Sequence, residues 1–424
     1  MQKALVKNSE EELKNSSCKN SIIEGSFSGS SSSFGDNFII PFAQALFAQP
    51  WIIGLISAIP NLLSPFAQVY GGNIMGKVSR KAILLQYVFI QSLLWLPLAL
   101  LGLAAWRGFS FQILSILLVL GYSLLAVVGG ITGPAWFSWM GDIVPVKSRG
   151  AYFSKRNRIT GTFAMVAFFA SAFILDLFKS RGLVFIGFTT LFSLAFLFRF
   201  IALYFFNKQY EPKFGIKDED HFSFFQFIKR KGNFRNFSIY NAMLNMSTMV
   251  AGPFFIVYML QELQFSYITF MIVSLSGTVF YLLLAPVAGE FSDKYGNLAL
   301  IKLANFLLVV YPILWIVFPE PIKLIFITQL VGGIATAAFA IGTTNYIYDT
   351  VTPPKRGLCV AYMNILGGIG IFIGALLGGF FMGFFKEITL KPFVYLFVLS
   401  CALRLVVTLV FLPRFKELRV SEKV

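Results

Sequence analysis

Two carboxylates stand where carboxylates are hardest to keep. Glu24 and Asp36 lie in a stretch from roughly Ile22 to Ala48, the least apolar of twelve otherwise strongly apolar runs. A helix entering at Ile22 puts Asp36 about 14 residues in, or roughly 21 Å along its axis, which is near the middle of a bilayer. An unpaired carboxylate at that depth either faces a watery cavity or takes up a proton. Asp36 is therefore read as a coupling group for a proton or cation, and Glu24, nearer the inner entrance, as a second coupling acid. A structural hydrogen-bond acceptor is the plainer alternative. Asn37 and Gln44 belong to the same polar span. The serines between Ser26 and Ser33 can turn toward a pathway or bond back to their own helix.

The elements that must hold these groups follow from composition. The chain has 424 residues, of which 57% are hydrophobic and 13% charged, with 50 Phe and a mean hydropathy of +0.75. A soluble domain carries about a quarter charged residues, and the apolar runs exceed the roughly 18 residues that separate a membrane span from a buried strand. The expected fold class is all-α and integral to the membrane, with twelve transmembrane helices in two pseudo-symmetric six-helix bundles. The net charge of +16 is scattered among short loops rather than gathered with aromatics, so nucleic acid is not a partner. Membrane lipid is. Cys18, Cys359 and Cys401 lack metal-ligand spacing, and His221 has no partner for acid–base work. No H-E-x-x-H or P-loop occurs; no metal, cofactor or enzymatic activity is expected.

The division expected is a cytoplasmic tail over 1–21, a six-helix bundle over 22–206, a central cytoplasmic loop over 207–235, a second bundle over 236–412 and a C-terminal tail over 413–424. Of 35 Lys and Arg, 27 fall on the side of the two tails and 6 on the other. By the positive-inside rule both termini are cytoplasmic, in a cell inner membrane. Arg199 and Arg404 lie within spans, toward their cytoplasmic ends, where snorkelling to the interface is the default.

An internal echo relates the halves. Asp142, Arg149 and Gly150 recur as Asp349, Arg356 and Gly357, and Gly72 and Lys77 recur as Gly289 and Lys294. Pro41 pairs with Pro253, and Arg199 with Arg404. The order of these matches indicates a parallel repeat. The charged groups among them, with Asp293, sit at the inner ends of spans. Asp142 and Asp349 are anions at helix C-termini, where the dipole disfavours them without a compensating cation; Arg149 and Arg356 are the candidates. Such pairs can hold helix ends in one state and rearrange in another, which makes a cytoplasmic gate. Their plainer reading is topological anchoring. In the eleventh span Gly370, Gly374 and Gly378 make a small-residue face suited to close helix packing or sliding.

The segments GGNIMGKVSRK from Gly71 and AGEFSDKYGN from Ala288 resemble the signature between spans two and three, and eight and nine, of the major facilitator superfamily. Gly289, Asp293, Lys294 and Gly296 fit its pattern well. The first copy has Gly76 at the acidic position and Ser79 at the second glycine. The GD-x-x-P-x-x-x-RG segment after span four is similar to that family too. The resemblance implies a central substrate cavity with alternating access, walled by the first and fourth spans of each half. On this chain those spans carry Asn37, Gln44, Tyr122, Asn241, Asn245, Thr248, Gln329 and Thr336, which can bond a polar solute or simply join helices. The expected function is secondary transport of a small solute of undetermined class by a monomer, with a co-transported proton or cation as candidate partner. A passive facilitator, or a membrane sensor retaining a transporter fold, is the alternative.

Overall fold

The structure, a computed structural model, describes residues 2–75, 77–145, 149–212, 224–229, 232–351 and 353–415, and every regular element among them is helical. The chain separates into two compact units: Met1–Ala48 with Leu63–Lys217, and Gln49–Leu62 with Asp218–Val424.

In the first unit, α1 (Gln2–Phe34) ends at Gly35, and a single turn at Asp36–Phe38 leads into α2 (Ile39–Ala45). Then follow α3 (Pro50–Ile74), whose opening residues group with the second unit, α4 (Arg80–Trp106), α5 (Phe111–Ile143), α6 (Arg149–Ser180) and α7 (Val184–Asn207). The second unit holds α8 (Phe224–Lys229), α9 (Asn233–Met249), α10 (Gly252–Val257), α11 (Tyr267–Tyr295) and α12 (Asn297–Val317). It continues through α13 (Pro321–Lys323), α14 (Leu330–Thr350), α15 (Pro353–Ile388) and α16 (Pro392–Phe411). Eleven helices among the described residues are long and apolar enough to cross a membrane. The segment containing α1 is not one of them, because its serines and charges lower its hydropathy.

The repeat is visible in the packing. In the first unit α4 packs on α5 and α7, and α1 on α6 and α7; in the second, α12 packs on α14 and α16, and α9 on α15 and α16. The opening helix of each unit is also interrupted at a matching place, at Gly35 in one and at Val250–Ala251 in the other. Backbone groups freed at such interruptions must find partners inside the protein. Discontinuous helices of this kind are where transporters build their sites.

Glycine placement explains two close contacts. A Cβ at Gly370, Gly374 or Gly378 would come within 2.1, 2.1 or 2.2 Å of the carbonyl oxygens of Ala242, Met246 and Val250. The four-residue glycine spacing of α15 therefore lays one helix directly on the backbone of α9. At Gly296, φ is +92° and ψ 160°, a conformation open essentially to glycine alone. That residue ends α11 and starts α12. The repeat-related Ser79 achieves the same start differently: its hydroxyl caps α4 by accepting from the Ala82 amide at 3.2 Å. The departure from the signature glycine at position 79 is thus an N-cap.

Candidate functional site

The serines of α1 divide by job. Ser31 Oγ donates to the Ala195 carbonyl at 2.7 Å and Ser33 Oγ to the Ala164 carbonyl at 2.8 Å, which fastens α1 to α7 and α6. Ser26 and Ser30 bond back to the carbonyls of Ile22 and Ser26. Ser28, Ser32 and also Ser31 line a cavity of about 300 Å³, together with Asp36, Gln91, Arg156 and Arg199.

A continuous polar chain runs along this cavity. Arg156 Nη2 reaches Glu24 Oε2 at 3.4 Å and its Nε reaches Ser21 Oγ at 3.2 Å. Ser28 Oγ donates to Glu24 Oε1 at 2.7 Å and accepts from Arg199 Nη1 at 2.7 Å. Arg199 Nε donates to Gln91 Oε1 at 2.8 Å, with a second bond from Nη2 to the same oxygen. Asp36 is hydrogen-bonded to Ser32 and lies within electrostatic reach of Arg199 and Tyr122. Arg156 also stacks over Trp136, 4.6 Å from the ring centroid. Two guanidinium groups and two carboxylates thus share one small space, and their charges cancel when both acids are ionised. Protonating either acid would leave a net charge of +1.

Room for this chain is made by missing side chains. A Cβ at Gly25 would fall 2.4 Å from Arg156 Nη2, one at Gly129 2.6 Å from Gln91 Nε2, and one at Gly35 2.1 Å from the Trp95 ring. Of the other candidates in this unit, Asn37 is exposed and Gln44 half-buried; neither lines this cavity. Arg199 and Gln91 are not marked for binding by residue type or local pattern. The available signal is depth: Arg199 lies eight residues before the end of α7, about 12 Å, farther than an arginine stem readily snorkels.

The second unit has a larger cavity of about 540 Å³ at the interruption between α9 and α10. Thr248, Gln329 and Thr336 line it with Phe255, Tyr311, Trp315 and Arg404. Gln329 Oε1 accepts from the Tyr311 hydroxyl at 3.2 Å, and its Nε2 donates to the Val273 carbonyl at 2.9 Å. Asn241 and Asn245 do not line this cavity. Their amides lie 3.7 and 3.2 Å from where a Cβ on Gly367 would be, against α15. Arg404 is 1% exposed. It turns into the bundle, where its Nη1 donates to the Leu308 carbonyl at 2.7 Å and its Nη2 to the Thr248 carbonyl at 3.3 Å. The snorkelling expected of it does not occur, because the Thr248 carbonyl at the end of α9 and the Leu308 carbonyl, left without its helical donor by Pro312 in α12, offer closer partners.

At the helix ends, Asp142 pairs with Arg80, a residue of the first unit not singled out as its partner by sequence. Arg80 is fully buried, with Nη1 2.5 Å from Asp142 Oδ2, and it also donates to the Ser138 and Pro212 carbonyls. The repeat-related pair is Asn297 and Asp349, joined by a 2.6 Å bond from Nδ2 to Oδ2. One unit locks the start of its third long helix to the end of its fourth with an ion pair, and the other does so with a neutral amide. Lys77, Asp293 and Lys294 are exposed. A Cβ at Gly72 or Gly289 would meet nothing within 4 Å. The side chains of Arg149 and Arg356 lie outside the described residues, as does His221.

Residues 237–423 match the family model described as Major Facilitator Superfamily. Among curated proteins, the chain is 29% identical over 99 residues to Multidrug resistance protein 1 of Bacillus subtilis (strain 168), a match covering 23% of this chain and 25% of that protein. The chain therefore spans about a quarter of the length of that relative. Among solved structures, it resembles the nucleoside transporter NupG with a TM-score of 0.68 and 14% identity, over 95% of this chain and 100% of that one. It also resembles a POT family transporter in complex with 5-aminolevulinic acid, with a TM-score of 0.69 and 12% identity, over 94% and 96% of the two chains.

Proposed function

We infer that this chain, which has the membrane-transporter fold of the Major Facilitator Superfamily, moves a small solute across a membrane by alternating access coupled to a proton. The observation carrying the coupling is the polar chain of the first unit. Asp36 stands at the interruption of the opening helix, beside a cavity that also holds Arg199, and Glu24 joins the same chain through Ser28. Asp36 takes up and releases the coupled proton, and Glu24 with Arg156 and Arg199 responds to the change in charge. The solute is contacted by residues of the second unit's cavity, including Thr248, Gln329 and Thr336. Tyr122, Asn37, Gln44, Asn241 and Asn245, which line neither cavity here, meet the solute in another state of the cycle. The segment Ile22–Ala48 makes a twelfth crossing and both termini face the cytoplasm, as the distribution of Lys and Arg supports. Asp142, Asp349, Lys77, Asp293, Lys294, Arg149 and Arg356, with Gly72 and Gly289, form the inner region that rearranges between states.

The test uses proteoliposomes containing the purified protein and trapped pyranine, challenged with sugars, amino acids, organic anions and amphipathic amines. A coupled solute produces a saturable change in luminal pH, and Asp36→Asn removes that change while solute counterflow persists. Counterflow in the unaltered protein without any pH change identifies a passive facilitator and overturns the coupling. Absence of flux for every class overturns transport.

A further inference from the structure

Arg199 and Arg404 are repeat-related, yet their electrostatic surroundings differ. Arg199 shares its cavity with Asp36 and connects through Ser28 to Glu24. Around Arg404, the hydrogen-bond partners are the Ser400 hydroxyl and the carbonyls of Leu308 and Thr248. No carboxylate is paired with it among the described residues, and the titratable side chains acting on it are Tyr311 and Cys401. Those carbonyls hold the guanidinium in place, the Thr248 one at the end of the interrupted helix, but neutral dipoles do not cancel a full charge. A buried arginine without a counter-ion is expensive in an apolar bundle. It also has donors left: a guanidinium carries five N–H groups, and the protein engages three.

The remaining donors belong to a residue that lines the 540 Å³ cavity. The opposite chemistry of that cavity is aromatic. Phe255 stacks on Trp315 with centroids 4.9 Å apart, and Tyr311 packs edge-on against Phe255 at 5.6 Å. Thr336 and Thr248 add hydroxyls to the wall. One unneutralised cation beside a flat apolar wall selects a particular kind of solute.

We propose that the second unit's cavity binds an organic monoanion, a carboxylate on a flat or aromatic body, with Arg404 supplying the missing counter-charge. The carboxylate takes the two free N–H groups of Arg404 as a charge-assisted pair, and the body lies against Phe255, Tyr311 and Trp315. This names the substrate class of the transporter inferred above and rests on that reading. Binding is nonetheless measurable without flux.

The experiment is calorimetric titration and thermal unfolding of the purified full chain with aryl carboxylates of graded size, benzoate, 3-phenylpropionate and 4-phenylbutyrate, each against its neutral amide. At least one carboxylate is expected to bind and raise Tm, with its amide weaker by at least about tenfold, the loss of one charge-assisted contact. Arg404→Gln should abolish the preference for the carboxylate; Arg404→Lys should keep it with reduced affinity. Because Arg404→Gln also removes the contacts at the interrupted helix, Trp315→Leu provides a second variant. It should weaken carboxylate and amide alike without altering their ratio. Equal binding of acid and amide, no binding by any member of the set, or a preference that survives Arg404→Gln overturns the proposal. Carboxylate-selective binding with no flux in proteoliposomes would leave this site standing and overturn the transport reading instead.

Discussion

Arg199 and Glu24 meet through a single hydroxyl: Ser28 Oγ accepts from Arg199 Nη1 and donates to Glu24 Oε1, each at 2.7 Å. The serine orders the two charges without letting them collapse into a direct pair. Either charge can therefore change partners without the whole cluster being rebuilt.

Replacing that hydroxyl should disconnect the chain. Ser28→Ala is expected to reduce proton-driven accumulation roughly tenfold, the effect of losing hydrogen bonds to charged groups worth about 1.5–3 kcal/mol each. Ser26→Ala is the control, since among the described residues Ser26 Oγ bonds to the Ile22 carbonyl of its own helix. The measurement is initial uptake at equal amounts of protein in the membrane. Equal loss in both variants would mean that the serines act through helix packing alone.

The helix-end locks of the two units should respond differently to the same substitution. Asp142→Asn removes an anion paired with the fully buried Arg80, whereas Asp349→Asn faces a neutral Asn297. Thermal unfolding in detergent should show a loss of about 1–2 kcal/mol for Asp142→Asn. This lies below the roughly 3–5 kcal/mol of a fully buried pair because Asp142 is 46% exposed. Asp349→Asn should cost less than about 0.5 kcal/mol. A larger effect at Asp349 would reverse the assignment of the charged lock to the first unit.

Steric predictions separate the glycines. Gly374→Ala forces a methyl onto the Met246 carbonyl and should lower Tm, at a cost of about 1–3 kcal/mol. Gly296→Ala should cost a similar amount through its backbone conformation. Gly289→Ala, pointing into open space, should fall within about 0.5 kcal/mol of the unaltered protein. Unfolding curves for the three variants decide the matter together, and a strong effect at Gly289 would assign that glycine a contact outside its own helix.

The membrane fold, the paired halves and the two acids of the opening span were legible because they rest on run length, internal offset and the rarity of carboxylates in apolar sequence. The glycine face of α15 was legible for the same reason: Gly370, Gly374 and Gly378 repeat at the helical period. The partners were not. Arg80 and Asp142 are 62 positions apart, and nothing in the local pattern singles out Arg80. The interruption after Phe34 was equally hidden, since Gly35 is one of 35 glycines and most of them lie within continuous helix. Arg404 could have been recognised by its distance from the helix end. That no carboxylate pairs with it among the described residues depends on three elements, α9, α12 and α16, converging in space.

The serines that tie Ser31 to Ala195 and Ser33 to Ala164 also bear on how the chain is made. Their acceptors belong to α7 and α6, which leave the ribosome more than a hundred residues after the serines themselves. Until then the opening segment presents hydroxyls and carboxylates that lipid cannot satisfy. The segment gains these two acceptors only once α6 and α7 have been made. A truncation before α7 therefore removes the acceptor of Ser31 as well as the helix that carries it.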